Sequence, residues 1–159
     1  MTSGKEDYLK AIYIISEDHE LVSNKELSDM LHVSPPSVSE MIMKLQKEGY
    51  VDYTAYKGSK MTRKGRREAG KLFRFHALWE VFLVEKLHFS WSEAHEQADG
   101  LEHQTSDMLA ERLDEFLGHP EHCPHGDPIP KADGSRKGLT FRTLSGLSLI
   151  HISEPTRRY

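Results

Sequence analysis

The chain has 159 residues, enough for one or two small domains, and its 29% charged and 37% hydrophobic content predicts a folded, water-soluble protein. No apolar run is long enough to cross a membrane, and the N-terminus lacks the apolar core of a signal peptide. A single cysteine, Cys123, excludes an internal disulfide and fits a reducing, cytoplasmic setting.

The formal net charge of −4 conceals a partition along the chain. Residues 1–75 carry 13 basic and 11 acidic side chains, residues 76–130 carry 2 and 12, and residues 131–159 carry 6 and 2. Between Lys57 and Arg74 there are eight basic residues against one acid, Glu68, a density suited to phosphate contacts. The acidic middle holds seven of the ten histidines, the donor mixture that a divalent cation needs.

In chain order, Tyr8, Ile12 and Ile15 form the apolar stripe of a first helix over 5–16. Ser23 and Glu26 make a capping-box pattern that starts a second helix with Leu27, Met30 and Leu31 at helical spacing. His32 and Val33 fill a short turn, and Ser34 caps a third helix with Pro35 at its first position. Val38, Met41, Ile42 and Leu45 face a core, while Ser37, Glu40, Lys44 and Lys47 share the opposite side, a face able to enter a major groove. Gly49 ends this helix. A hairpin follows, with strands over 51–54 and 60–62 and Lys57 and Lys60 near its tip, placed to touch a sugar-phosphate backbone. Two short helices, a tight turn, a capped third helix and a basic hairpin read as a winged helix-turn-helix. A three-helix bundle with a plain surface hairpin is the bland alternative.

A long helix is predicted over 62–87, basic at its start and apolar later through Leu72, Phe75, Trp79, Phe82 and Leu83. That surface packs either on a second subunit or within its own chain. Ser90 and Glu93 cap a further helix to about His103, and a last one spans 106–117 with Leu109, Leu113 and Phe116 inward. On the penultimate helix, at about 100° per residue, His95, Asp99, Glu102 and His103 share one arc, while Ala94, Ala98 and Leu101 lie away from it. His76 and Glu80, four apart, share a face of the long helix. Cys123 and His125 sit in a loop, and Asp7 lies in the first helix. Taken singly, Glu102 reads as a solvated carboxylate, His76 as a hydrogen-bonded core histidine, Asp7 as a first-turn acid and Cys123 as a small buried hydrophobe. Their joint spacing around a DNA reader is what suggests a metal that switches DNA binding.

Several stretches are similar to one family: Glu6 to Leu9, Val33 to Ser39, Leu45 to Val51, Thr62 to Gly65, Glu102-His103 and Cys123 to Gly126. The chain resembles the diphtheria toxin repressor family of metal-dependent transcriptional regulators, and most of all its manganese-responsive branch. The resemblance covers residue 1 to about residue 130. It implies a mainly α protein, a winged helix-turn-helix over 1–72 followed by an all-helical dimerisation and metal-binding domain over 73–134. It implies a cytoplasmic homodimer on an inverted-repeat operator in double-stranded DNA, repressing metal-uptake genes, with no enzymatic activity. Ser34, Pro36, Ser37, Ser39 and Glu40 fall where the family touches DNA, beside Lys44, Lys57 and Lys60. One metal site would use Asp7, Asp99, Glu102 and His103, with His76 nearby; a second would use Glu80, Cys123 and His125, with His95 as a further candidate. Asp7 and Asp99 stand where the iron-responsive branch has softer ligands, which favours Mn²⁺ over Fe²⁺, while Cys123 would admit Zn²⁺ or Cd²⁺.

The resemblance also implies a third, SH3-like domain, which this sequence is expected to lack. Residues 135–159 are expected to be a non-native or disordered tail, and Leu147 to Tyr159 resembles translated adapter or vector sequence. Two other functions compete: a winged-helix regulator that answers a small organic ligand, and a Zn²⁺ hydrolase, for which no HExxH pattern or nucleophile elbow is present.

Overall fold

The computed structural model describes residues 1–135, and the expected tail beyond Ser135 lies outside them. The chain divides into two compact units, one over residues 1–69 and the other from Gly70 onward.

The first unit holds α1 (Ser3–Ser16), α2 (Asn24–Leu31), α3 (Pro35–Lys47), β1 (Val51–Thr54), β2 (Gly58–Met61) and the first turns of α4 (Arg63–Leu87). Helix α1 begins two residues earlier than its apolar stripe suggests, because the Thr2 side chain accepts from the Lys5 amide and caps it. Ser23 and Glu26 form the reciprocal capping box at α2, and Ser34 with Pro35 opens α3. Leu9, Ile12, Val22, Leu27, Val38, Ile42, Leu45, Val51 and Met61 are buried and make the core. Each large side chain so removed from water contributes about 1.5–3 kcal/mol before the entropy of ordering is subtracted.

The hairpin pairs Val51 with Met61 and Thr54 with Gly58 in antiparallel register. Its second strand starts earlier than expected because Val22 bridges to Ser59 through two 2.8 Å backbone hydrogen bonds. That third strand segment leaves no room at Gly58. The residue has φ +121°, and a Cβ there would fall 2.5 Å from the Val22 carbonyl oxygen. Gly58→Ala is therefore expected to destabilise the first unit by on the order of 1–3 kcal/mol. A urea midpoint equal to that of the parent chain would contradict this.

The second unit contains the rest of α4, then α5 (Trp91–Leu101), a 3-10 turn (Glu102–Gln104) and α6 (Asp107–Phe116), followed by a turn-rich segment to Ser135. Ser90 and Glu93 form the second capping box. Phe75, Leu78, Ala110 and Leu113 make one apolar cluster, and Leu83, Val84, Trp91 and Ala94 make another. Much of the apolar surface of α4 is thus covered by its own unit: Leu72, Phe75 and Leu83 are buried, while Trp79 and Phe82 are partly so. One expectation needs correcting. Leu113 points inward on α6, but Leu109 and Phe116 are 42% and 63% exposed. Ala110 and Leu113, three apart, occupy the buried stripe, which turns Phe116 outward against Phe82 and Lys86.

Candidate metal centre

All the predicted ligands except Asp7 belong to the second unit. His76 and Glu80 stand one turn apart on α4, His95 and Asp99 one turn apart on α5, Glu102 and His103 on the 3-10 turn, and Cys123 and His125 in the segment after α6. His76 is the hub. Its Nδ1 lies 2.7 Å from Glu102 Oε2 and 3.4 Å from Asp99 Oδ1. Its Nε2 lies 2.6 Å from Glu80 Oε1 and 3.1 Å from His95 Nδ1. Donor atoms of His76, His95 and Asp99 all fall within 4.8 Å of one another. His103 Nε2 is 3.6 Å from Glu102 Oε1. His125 Nδ1 is 3.1 Å from Glu80 Oε2 and 4.0 Å from Cys123 Sγ. His76 therefore contacts members of both ligand sets that the resemblance implies, Glu102 and Asp99 of one and Glu80 and His95 of the other.

Glu102 departs most from its expected character. It is 1% exposed, whereas taken singly it reads as a solvated carboxylate. The reason is local: α5 stops at Leu101, two residues before the expected end, and the chain tightens into the 3-10 turn. Thr105 Oγ1 donates to the Leu101 carbonyl at 2.7 Å and accepts from Trp79 Nε1 at 2.8 Å, tying the turn to α4. Neither Thr105 nor Trp79 has metal-binding chemistry, so nothing in the sequence marked them as supports.

The charge states follow from the packing. Burial acts to raise the Glu80 carboxyl, but contacts with His125, His76 and His95 outweigh it and hold the group far below the ordinary carboxylate range. Burial acts to lower His125, but contacts with Cys123 and Glu80 outweigh it and push the imidazole up to about 10. Glu80 Oε2 is nonetheless buried without an aligned hydrogen bond, since the His125 ring meets it as an ion pair and not along a donor direction. A buried carboxylate lone pair with no aligned donor, faced by the imidazoles of His76, His95 and His125, fits a divalent cation. Carboxylate and imidazole donors suit Mn²⁺ or Fe²⁺, and the half-buried Cys123 thiol extends the set to Zn²⁺ or Cd²⁺.

In the first unit Asp7 is exposed on α1. Ser34, Pro36, Ser37, Ser39, Glu40 and Lys44 are all exposed along α3. The Ser34 and Ser37 hydroxyls are 2.8 Å apart, and Asn24 Nδ2 donates to Ser39 Oγ at 3.3 Å. Glu40 pairs with Lys44 at 3.0 Å. Lys57 is exposed at the hairpin, whereas Lys60 pairs with Glu20 at 2.7 Å. Exposed pairs of this kind contribute about 0–1 kcal/mol, so both lysines remain able to exchange a carboxylate for a phosphate. Met43 is 67% exposed on the same helix.

Residues 1–59 match the iron dependent repressor N-terminal DNA binding domain, and residues 62–131 match the iron dependent repressor metal binding and dimerisation domain. The chain belongs to the iron-dependent repressor family. An uncharacterized HTH-type transcriptional regulator of Methanocaldococcus jannaschii is 40% identical over 118 residues, 74% of this chain and 94% of that protein. The diphtheria toxin repressor of Corynebacterium diphtheriae is 28% identical over 145 residues, covering 91% of this chain and 64% of the repressor. Among solved structures, the manganese regulator SloR matches with a TM-score of 0.73 and 47% identity, over 84% of this chain and 62% of that one. The chain thus spans about three-fifths of the length of that family member. Among the described residues, no helix is long and apolar enough to cross a membrane.

Proposed function

We propose that the chain is a Mn²⁺-responsive regulator that binds an inverted-repeat operator as a homodimer and represses metal-uptake genes. The observation that carries this reading is the buried cluster of Glu80, His76 and Glu102 in a chain whose α3 offers an exposed polar face. The likeness to solved manganese regulators, one of them a manganese-dependent transcriptional repressor in complex with manganese, supports the metal assignment. Structures of a related protein with Zn²⁺ and with Cd²⁺ support the tolerance expected from Cys123.

Asp99, Glu102 and His103, with His76, would hold one ion, and Asp7 would complete that set from α1. Glu80, His95, Cys123 and His125 would hold the other. The ion supplies positive charge that offsets the mutual repulsion of the carboxylates. The side chains do the rest. Ser34, Ser37 and Ser39 offer hydroxyls to phosphates and base edges, and Lys44, Lys57 and Lys60 neutralise backbone charge. Glu40 is suited to accept from a cytosine amino group. Moving the population from 1:99 to 99:1 requires the ion to favour the active form by about 5.5 kcal/mol.

The test is fluorescence anisotropy of the 159-residue chain on its own upstream promoter fragment at fixed salt, with chelator or with Mn²⁺. Tight binding only with Mn²⁺ is expected. Equal binding in both conditions would replace this reading with a regulator governed by another effector.

A further inference from the structure

The segment that carries Cys123 and His125 is gripped at both ends by residues with no ligand role. At its start, His119 Nδ1 lies 2.5 Å from Asp114 Oδ2, and the His119 amide donates to the Asp114 carbonyl at 2.9 Å. At its end, the Pro130 carbonyl accepts from Arg74 Nη1 at 3.3 Å. The same guanidinium donates to Glu111 Oε1 at 3.0 Å and stands 3.8 Å from Asp114 Oδ2. Asp114 therefore faces both ends of the loop. Between them the segment is cross-tied: Ile129 N donates to Glu121 O at 2.9 Å, and Cys123 N to Asp127 O at 2.8 Å. Ile129 packs on the cluster of Phe75, Leu78, Ala110 and Leu113. Beyond Pro130 the backbone lies directly on α4, where a Cβ at Gly70 would fall 2.0 Å from the Gly134 carbonyl oxygen.

Arg74 is 7% exposed and Asp114 is 9% exposed. Taking such charges out of water costs energy that an apolar packing would not, so stability alone is a poor reason for them. Position is a better one. Arg74 and Glu80 lie on the same helix, and ligand atoms must be held to about 0.5 Å for useful affinity. A guanidinium anchored on α4 and bonded to Pro130 fixes how far the loop stands from that helix, and hence where Cys123 and His125 stand relative to Glu80.

We infer that Arg74, with Asp114 and the Gly70–Gly134 contact, is a positioning clamp that holds Cys123 and His125 in register with Glu80 and so sets the affinity of the thiolate-containing metal site. This inference rests on the proposal that Cys123 is a ligand.

The test is a Cd²⁺ titration of the full chain, read by thiolate-to-metal charge-transfer absorption. Only Cys123 can give that band, because it is the single cysteine. Bound Mn²⁺ is counted in parallel by electron paramagnetic resonance as a measure of the Asp99, Glu102 and His103 ligands. Arg74→Lys and Gly70→Ala are each expected to weaken Cd²⁺ binding at the thiolate by roughly 10- to 100-fold, as loss of outer supporting contacts does elsewhere. Mn²⁺ binding at the other ligands should be retained, and Arg74→Lys should lose less than Arg74→Ala. Thiolate titrations that superimpose on the parent chain would overturn the clamp while leaving the metal reading intact. A parallel fall of both signals would also overturn it, because it would reduce Arg74 to a general fold contact. A parent chain with no thiolate band would overturn Cys123 as a ligand and the clamp with it.

Discussion

Replacing His76 by alanine is expected to destabilise the metal-free chain by roughly 3–5 kcal/mol, the range found when one partner of a buried ionic group is removed. His76 faces two carboxylates that are themselves nearly inaccessible, Glu80 at 4% and Glu102 at 1% exposure. The substitution removes the 2.6 Å contact to Glu80 and the 2.7 Å contact to Glu102 at once. Glu80 keeps His125 at 3.1 Å, and Glu102 keeps His103 at the longer distance of 3.6 Å. Urea unfolding in excess chelator measures the effect. A loss below about 1 kcal/mol, the worth of an exposed pair, would mean that the two carboxylates are in contact with water and that the hub is a surface feature.

The second large effect is on the pH dependence of the chelated chain. His125 is raised from its ordinary 6.5 to about 10, so its contribution to stability is full below pH 6.5 and is lost as pH rises toward 10. Glu80 is depressed from 4.5, so its contribution is present above pH 4.5 and is lost as pH falls below that. Together they place a maximum between about pH 4.5 and 6.5, with declining stability on the alkaline side. Denaturant midpoints at pH 5.5, 7.5 and 9.5 should fall in that order for the parent chain and stay nearly level for His125→Ala. A parent midpoint that rises from pH 5.5 to 9.5 would reverse the assignment of the proton to His125. Metal binding through His125, as proposed, would run the opposite way, because a coordinating imidazole must first lose that proton.

Much of this was legible in the residues. Ser23 with Glu26, Ser90 with Glu93 and Ser34 with Pro35 announce helix starts through local hydrogen bonds, and the structure contains each of them. The arc on α5 was legible for His95 and Asp99, and the buried side for Ala94 and Ala98. Glu102 was legible on that arc as well, but its burial was not, because the change from α to 3-10 geometry depends on Thr105 and on Trp79, 26 residues away in sequence from Thr105. Leu109 and Phe116 were placed inward because apolar spacing on α6 is satisfied by more than one face, and only tertiary packing chooses between them. The Arg74 clamp was invisible for a similar reason: its partners lie 37 and 56 residues further along. A lone arginine in a basic stretch reads as a phosphate contact.

In the proposed Mn²⁺-responsive regulator, the close contacts around His76 would also set how much metal is needed for a response. Each ligand already has a partner within its own fold, so an arriving ion exchanges one set of contacts for another. The threshold concentration is then a difference between two large terms. Loosening the internal contacts lowers that threshold and weakens the resting protein together. Sensitivity and endurance are written in the same few side chains, and a lineage that adjusts one must move the other.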